Sequence, residues 1–127
     1  MKKDQHKIAA PTINTAALDK LRELGDDPFV VEMIDALFAF APTVMMEARA
    51  GLRAGLLEPV VRMGHSLKSS ARLLGAEAMS EVAFRIEVCA REGATDALPG
   101  LLDEMEVAYS QAEEYLFKVR ANGGKPF

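Results

Sequence analysis

From Thr15 to about Ala121 apolar residues recur every three or four positions, and no strand-like alternation competes with them. That period commits the chain to helices, because only a 3.6-residue turn stacks such residues on one face. Glycine and proline mark the limits. A polar tail covers residues 1–12, and a short helix runs from about Thr15 to Leu24, where Gly25 ends it. Asp27 is a candidate N-cap, with Pro28 at the first position of a long second helix. Pro42 inside that helix predicts a kink. Gly55 and Pro59 mark the next junction, and Gly75 closes a third helix. A fourth runs from about Ala76 to Glu92, and Thr95 caps a fifth that reaches about Ala121. Short links between four long helices predict an all-α, antiparallel up-and-down four-helix bundle with a short additional N-terminal helix. The bundle occupies residues 13–121, and residues 122–127 form a flexible tail.

Composition narrows the function. Half of the 127 residues are hydrophobic, which can fill one core without staples. The single cysteine, Cys89, can form no internal disulfide and is read as packing. A net charge of −4 argues against general nucleic-acid binding. No CxxC, zinc-type Cys/His set, GxxxxGK[ST] or GxGxxG occurs, and neither His6 nor His65 follows a glutamate by three residues, as a di-metal bundle requires. No uninterrupted apolar run is long enough to span a bilayer, and the N-terminal charges lack the apolar segment of a signal peptide. The expectation is a cytoplasmic monomer that binds no metal, membrane or nucleic acid.

The third helix holds the chemistry. Val60, Met63, Gly64, Leu67, Ala71 and Leu74 form its core stripe, within about 60° of Leu67 at 100° per residue. On the same construction His65 falls near 160°, Arg72 near 140°, Ser69 near 200°, Val61 near 120° and Lys68 near 100°. The imidazole therefore projects outward, beside two cations with no acid among them in sequence. Such surroundings disfavour protonation, and a neutral imidazole is a nucleophile. Lys68 and Arg72 would attract an incoming phosphoryl group and stabilise it once bound.

The segment "GHSLKSSARLLGAEAM" together with Ile86-Glu87 resembles the histidine-containing phosphotransfer (HPt) family of bacterial multistep phosphorelays. That pattern is His-x-Leu-Lys-Gly, a small residue, then glycine ten positions after the histidine. His65, Leu67, Lys68, Ser70 and Gly75 match it, and Ile86-Glu87 matches a Leu-Glu pair in the next helix. Ser69 replaces the usual glycine, and Gly64 the usual alanine before the histidine. The resemblance implies that His65 takes a phosphoryl group from a receiver-domain aspartate and passes it to another receiver. It implies Lys68 as the stabilising cation, with Arg72 and Ser69 as further candidates, and it places the magnesium on the receiver.

The long second helix carries more apolar surface than a bundle core needs. The first helix covers part of the surplus, and the rest would dock a response-regulator receiver, including that of a hybrid sensor kinase. Phe38 and Met45 from this helix, with Val61 and Arg62 from the next, are the candidate contacts. Two rival readings remain: the phosphoacceptor bundle of a sensor histidine kinase, and a helical adaptor without phosphotransfer. A sensor-kinase helix usually has an acid directly after the histidine, whereas Ser66 stands here. No autonomous kinase activity is expected.

Overall fold

The computed structural model describes residues 12–127; the expected N-terminal tail and His6 lie outside this range. Four α-helices account for most of it: α1 (Thr15–Arg53), α2 (Glu58–Leu73), α3 (Glu77–Arg91) and α4 (Leu98–Ala121). Each packs against the next, and α4 returns to α1, so the helices close around one core. Leu18, Ile34, Met63, Leu67, Met79, Ile86, Met105 and Leu116 fill it. On the rim, Arg49 of α1 pairs with Asp103 and Glu106 of α4, and Arg120 of α4 pairs with Asp35 of α1.

The first two expected helices are one element here, broken where the sequence placed the boundary. Gly25 (φ −152°, ψ 19°) and Asp26 (φ 65°, ψ −170°) leave helical geometry, and the helix resumes through Pro28. Asn14 caps the start, its side-chain oxygen accepting from the Ala16 N–H at 3.1 Å. The Asp27 carboxylate pairs with Arg22 at 3.2 Å and Lys125 at 3.7 Å. At Pro42 the backbone angles remain helical, and the departure from helical geometry inside α1 is at Gly25–Asp26.

Thr95 does not cap α4. A 3-10 turn over Thr95–Ala97 precedes that helix, and no side chain caps either element. The expected C-terminal tail lies against the bundle. Arg22 Nε donates to the Gly124 carbonyl at 2.9 Å, and the Phe127 ring tilts against Tyr115 with centroids 5.3 Å apart.

By length and composition α1 is long and apolar enough to cross a membrane, with an 18-residue window of mean hydropathy 1.7. The sequence reading placed no such run in the chain, because Glu32 and Asp35 interrupt it. The buried Val30, Ile34, Leu37, Ala41, Val44 and Ala48 on this helix belong to the bundle core.

Two glycines set the position of α2. Gly75 ends the helix at φ +78°, where a Cβ would lie 2.3 Å from the Asn14 carbonyl oxygen. Only glycine suits both the left-handed turn and that approach. The Asn14 N–H bonds the Gly75 carbonyl at 2.8 Å, tying the start of α1 to the end of α2. Gly64 lies where α2 crosses α3. A Cβ there would meet the Ala83 carbonyl oxygen and the Glu87 nitrogen, each at 2.8 Å.

Candidate functional site

The five stripe residues within α2 are buried, as is Leu74 just past its end, and His65 faces outward with its side chain 62% exposed. The close crossing at Gly64 places α3 directly beside it. There Glu87 reaches His65 Nδ1 through Oε2 at 3.0 Å. A carboxylate can only accept, so Nδ1 carries the hydrogen and the lone pair of the neutral ring is on Nε2. That second nitrogen therefore lies on the side of the ring turned away from Glu87.

Glu87 is the one charged residue in the buried class among the described residues, its side chain 7% exposed. Burial of a carboxylate is tolerated only with partners. It has three. Lys68 Nζ donates to Oε1 at 3.0 Å, while Arg91 donates to Oε2 through Nε at 3.1 Å and Nη2 at 2.7 Å. The Arg91 guanidinium, with Lys68 and His65 behind it, holds the acid down to about 2 against the opposing effect of burial. Lys68 also sits 5.4 Å from the ring centroid of Phe84. Ser80 Oγ donates to the Lys68 carbonyl at 2.9 Å, which satisfies that buried hydroxyl and ties α3 to α2.

Residues 32–115 match the sequence model of the Hpt domain family. The chain belongs to the Hpt family. Its role is histidine phosphotransfer in phosphorelays, and its partners are response-regulator receiver domains. The fold matches the crystal structure of histidine-containing phosphotransfer protein B (HptB) from Pseudomonas aeruginosa PAO1 with a TM-score of 0.82. That match covers 90% of this chain and 98% of the other, at 23% sequence identity. Curated proteins yield no match.

Within this Hpt site the structure brings His65 and Lys68 together but leaves Arg72 apart. Arg72 lies two turns beyond His65, about 10 Å along the axis. Its neighbours there are Glu77, Ser80, Glu81 and Phe84 on one side and Asn14, Lys20 and Leu24 on the other. Ser69 is exposed one turn after His65. The expected cluster of cations without an acid is overturned: α3 supplies both an acid, Glu87, and a further cation, Arg91.

Phe38, Met45 and Val61 are half-buried and packed on the core, and Arg62 is exposed, 3.7 Å from Glu47. The Hpt surface between α1 and α2 also carries a groove lined by Met33, Ala36, Phe40, Ser66, Ser70 and Leu73. Phe40 and Leu73 expose apolar surface there. Across α2, Phe84 does the same on the α3 side.

Sequence reasoning noted Glu87 only through the family pattern and missed Arg91 and Phe84. The signal for Glu87 was present. Met79, Val82, Ala83, Ile86 and Ala90 form the apolar stripe of α3, and an acid stands within its edge. Arg91, four residues later, is the matching cation on the same face.

Proposed function

We propose that His65 is the phosphoacceptor and that Nε2 is the atom that reacts. The observation that carries this reading is the exposed imidazole whose Nδ1 is held by the buried Glu87. The Nε2 lone pair attacks the phosphorus of a receiver's aspartyl phosphate. An N–P bond forms, the O–P bond breaks, and its electron pair returns to the aspartate as a carboxylate. No proton needs to leave, because Nδ1–H stays on the ring and Glu87 stabilises the positive charge that develops there. The reverse step on a second receiver passes the group on, so the protein is a carrier without kinase activity of its own.

Lys68 is the cation placed to steady the phosphoryl group, three residues from His65 on the neighbouring face. Ser69 leaves clearance for the receiver, and the groove containing Phe40 and Leu73 supports receiver docking. The receiver holds the magnesium. The helix order and the close of α4 on α1 support an up-and-down antiparallel bundle, and we place it as a monomer in the bacterial cytoplasm.

The test is incubation with a panel of phosphorylated receivers, including those of hybrid sensor kinases, followed by mass spectrometry. Label on His65 alone, absent from His65→Gln and not produced by ATP, is the expected result. Undiminished label in His65→Gln would overturn the assignment.

A further inference from the structure

Glu87 carries one negative charge yet holds two cations, and it divides them between its oxygens. Lys68 occupies Oε1 through a single bond, whereas Arg91 grips Oε2 through two. The grips differ in kind. Arg91 stands on the same helix, four residues on, and its planar fork is pre-organised for a carboxylate. Lys68 ends a flexible four-carbon stem, rooted on the neighbouring helix three residues from His65. If Glu87 had Lys68 as its only lysine or arginine partner, departure of that lysine would leave the buried carboxylate held by the His65 ring alone, a weaker compensation than it has now.

We propose that Arg91 is a positioning residue that frees Lys68: by keeping Glu87 neutralised, it lets the ammonium leave Oε1 for the phosphoryl group on His65. The inference rests on the reading of His65 as phosphoacceptor. The charges balance. With a neutral imidazole, Glu87, Lys68 and Arg91 together carry one net positive charge. The adduct, a phosphoryl dianion on a ring that retains Nδ1–H and gains one positive charge, carries one net negative charge. Without Arg91 the resting cluster is already neutral, and Lys68 stays committed to Glu87. Among the described residues no other lysine or arginine pairs with Glu87: Arg85 is turned to Glu104 and Arg62 to Glu47.

The experiment uses the whole protein phosphorylated chemically with potassium phosphoramidate, so no cognate receiver is required. The Lys68 side-chain NMR signals and the first-order loss of phosphate are followed in wild type, Arg91→Gln, Arg91→Lys, Lys68→Ala and the Lys68→Ala/Arg91→Gln double variant. In wild type the Lys68 signals should shift on phosphorylation, and Lys68→Ala should alter adduct lifetime by about threefold or more. In Arg91→Gln the Lys68 shift should vanish, and adding Lys68→Ala should change little. Arg91→Lys should restore part of both effects, which separates a lost charge from a damaged fold. A Lys68→Ala effect of equal factor in both backgrounds, or an unchanged Lys68 shift in Arg91→Gln, overturns the proposal. If wild type forms no adduct at His65, the assignment of the phosphoacceptor fails and the proposal falls with it.

Discussion

Glu87 reaches His65 from the next helix and fixes its tautomer, with Oε2 3.0 Å from Nδ1. Glutamine at this position keeps the size but can present its amide nitrogen instead of an acceptor, and it carries no charge to offset the ring. Glu87→Gln should therefore slow transfer by about 10- to 100-fold, the size of loss seen when the carboxylate behind a metal-bound histidine is removed. Single-turnover rates from a phosphorylated receiver measure this. A wild-type rate would mean that Glu87 serves only the fold.

The same carboxylate predicts an acid-sensitive step in stability. Its value is depressed from 4.5 to about 2, first by Arg91 and then by Lys68 and His65, so its pairing stabilises the ionised folded state. The contribution is fully present above about pH 4.5 and is lost as pH falls towards about 2. Urea midpoints measured across that window should fall steeply in wild type. In Glu87→Gln they should start lower and fall less.

Gly64 determines whether Glu87 can stand so close. A methyl group would sit 2.8 Å from two backbone atoms of α3, and neither can rotate away as a flexible side chain would. Gly64→Ala removes the entropic penalty of a helical glycine yet forces α2 and α3 apart. We expect the second effect to win, with a net loss of about 1–3 kcal/mol. The His65–Glu87 contact should lengthen, so transfer should slow as well. Denaturant unfolding alongside transfer rates checks both, and a more stable variant with full activity would refute the close-packing argument.

How much could be read without the structure depended on how many neighbours a feature involves. The direction of His65 was legible because α2 has one narrow buried stripe and a histidine almost opposite it. The interruption at Gly25 was legible because its cause is local. The Glu87 contact was not, since it depends on which face of α3 turns towards α2 and on the absence of a side chain at Gly64. Periodicity was also ambiguous on α1. Apolar residues cover about half of that helix, so the pattern could not rank Phe38, which packs inward, against Phe40, which borders the groove by His65. Arg72 shared the angular sector of His65 but stands two turns along, a separation that a helical wheel discards.

Ser69 departs from the glycine usual at its position and stands exposed one turn after His65. Its side chain leans back along the helix towards the histidine, on the surface a receiver must cover to bring its aspartyl phosphate to Nε2. Packing does not constrain a residue at such an exposed site, so stability there follows helix propensity. Ser69→Gly should cost about 0.5 kcal/mol and keep transfer, since it only widens the approach. Ser69→Leu should hold or slightly raise the melting temperature, because leucine is the better helix former. Its bulk, however, should obstruct the receiver and cut transfer by at least about 10-fold, the equivalent of 1.4 kcal/mol in the barrier. Melting curves and transfer rates for both variants separate the two effects. Wild-type transfer in Ser69→Leu would mean that the receiver approaches His65 from the side of Phe84 and α3 instead.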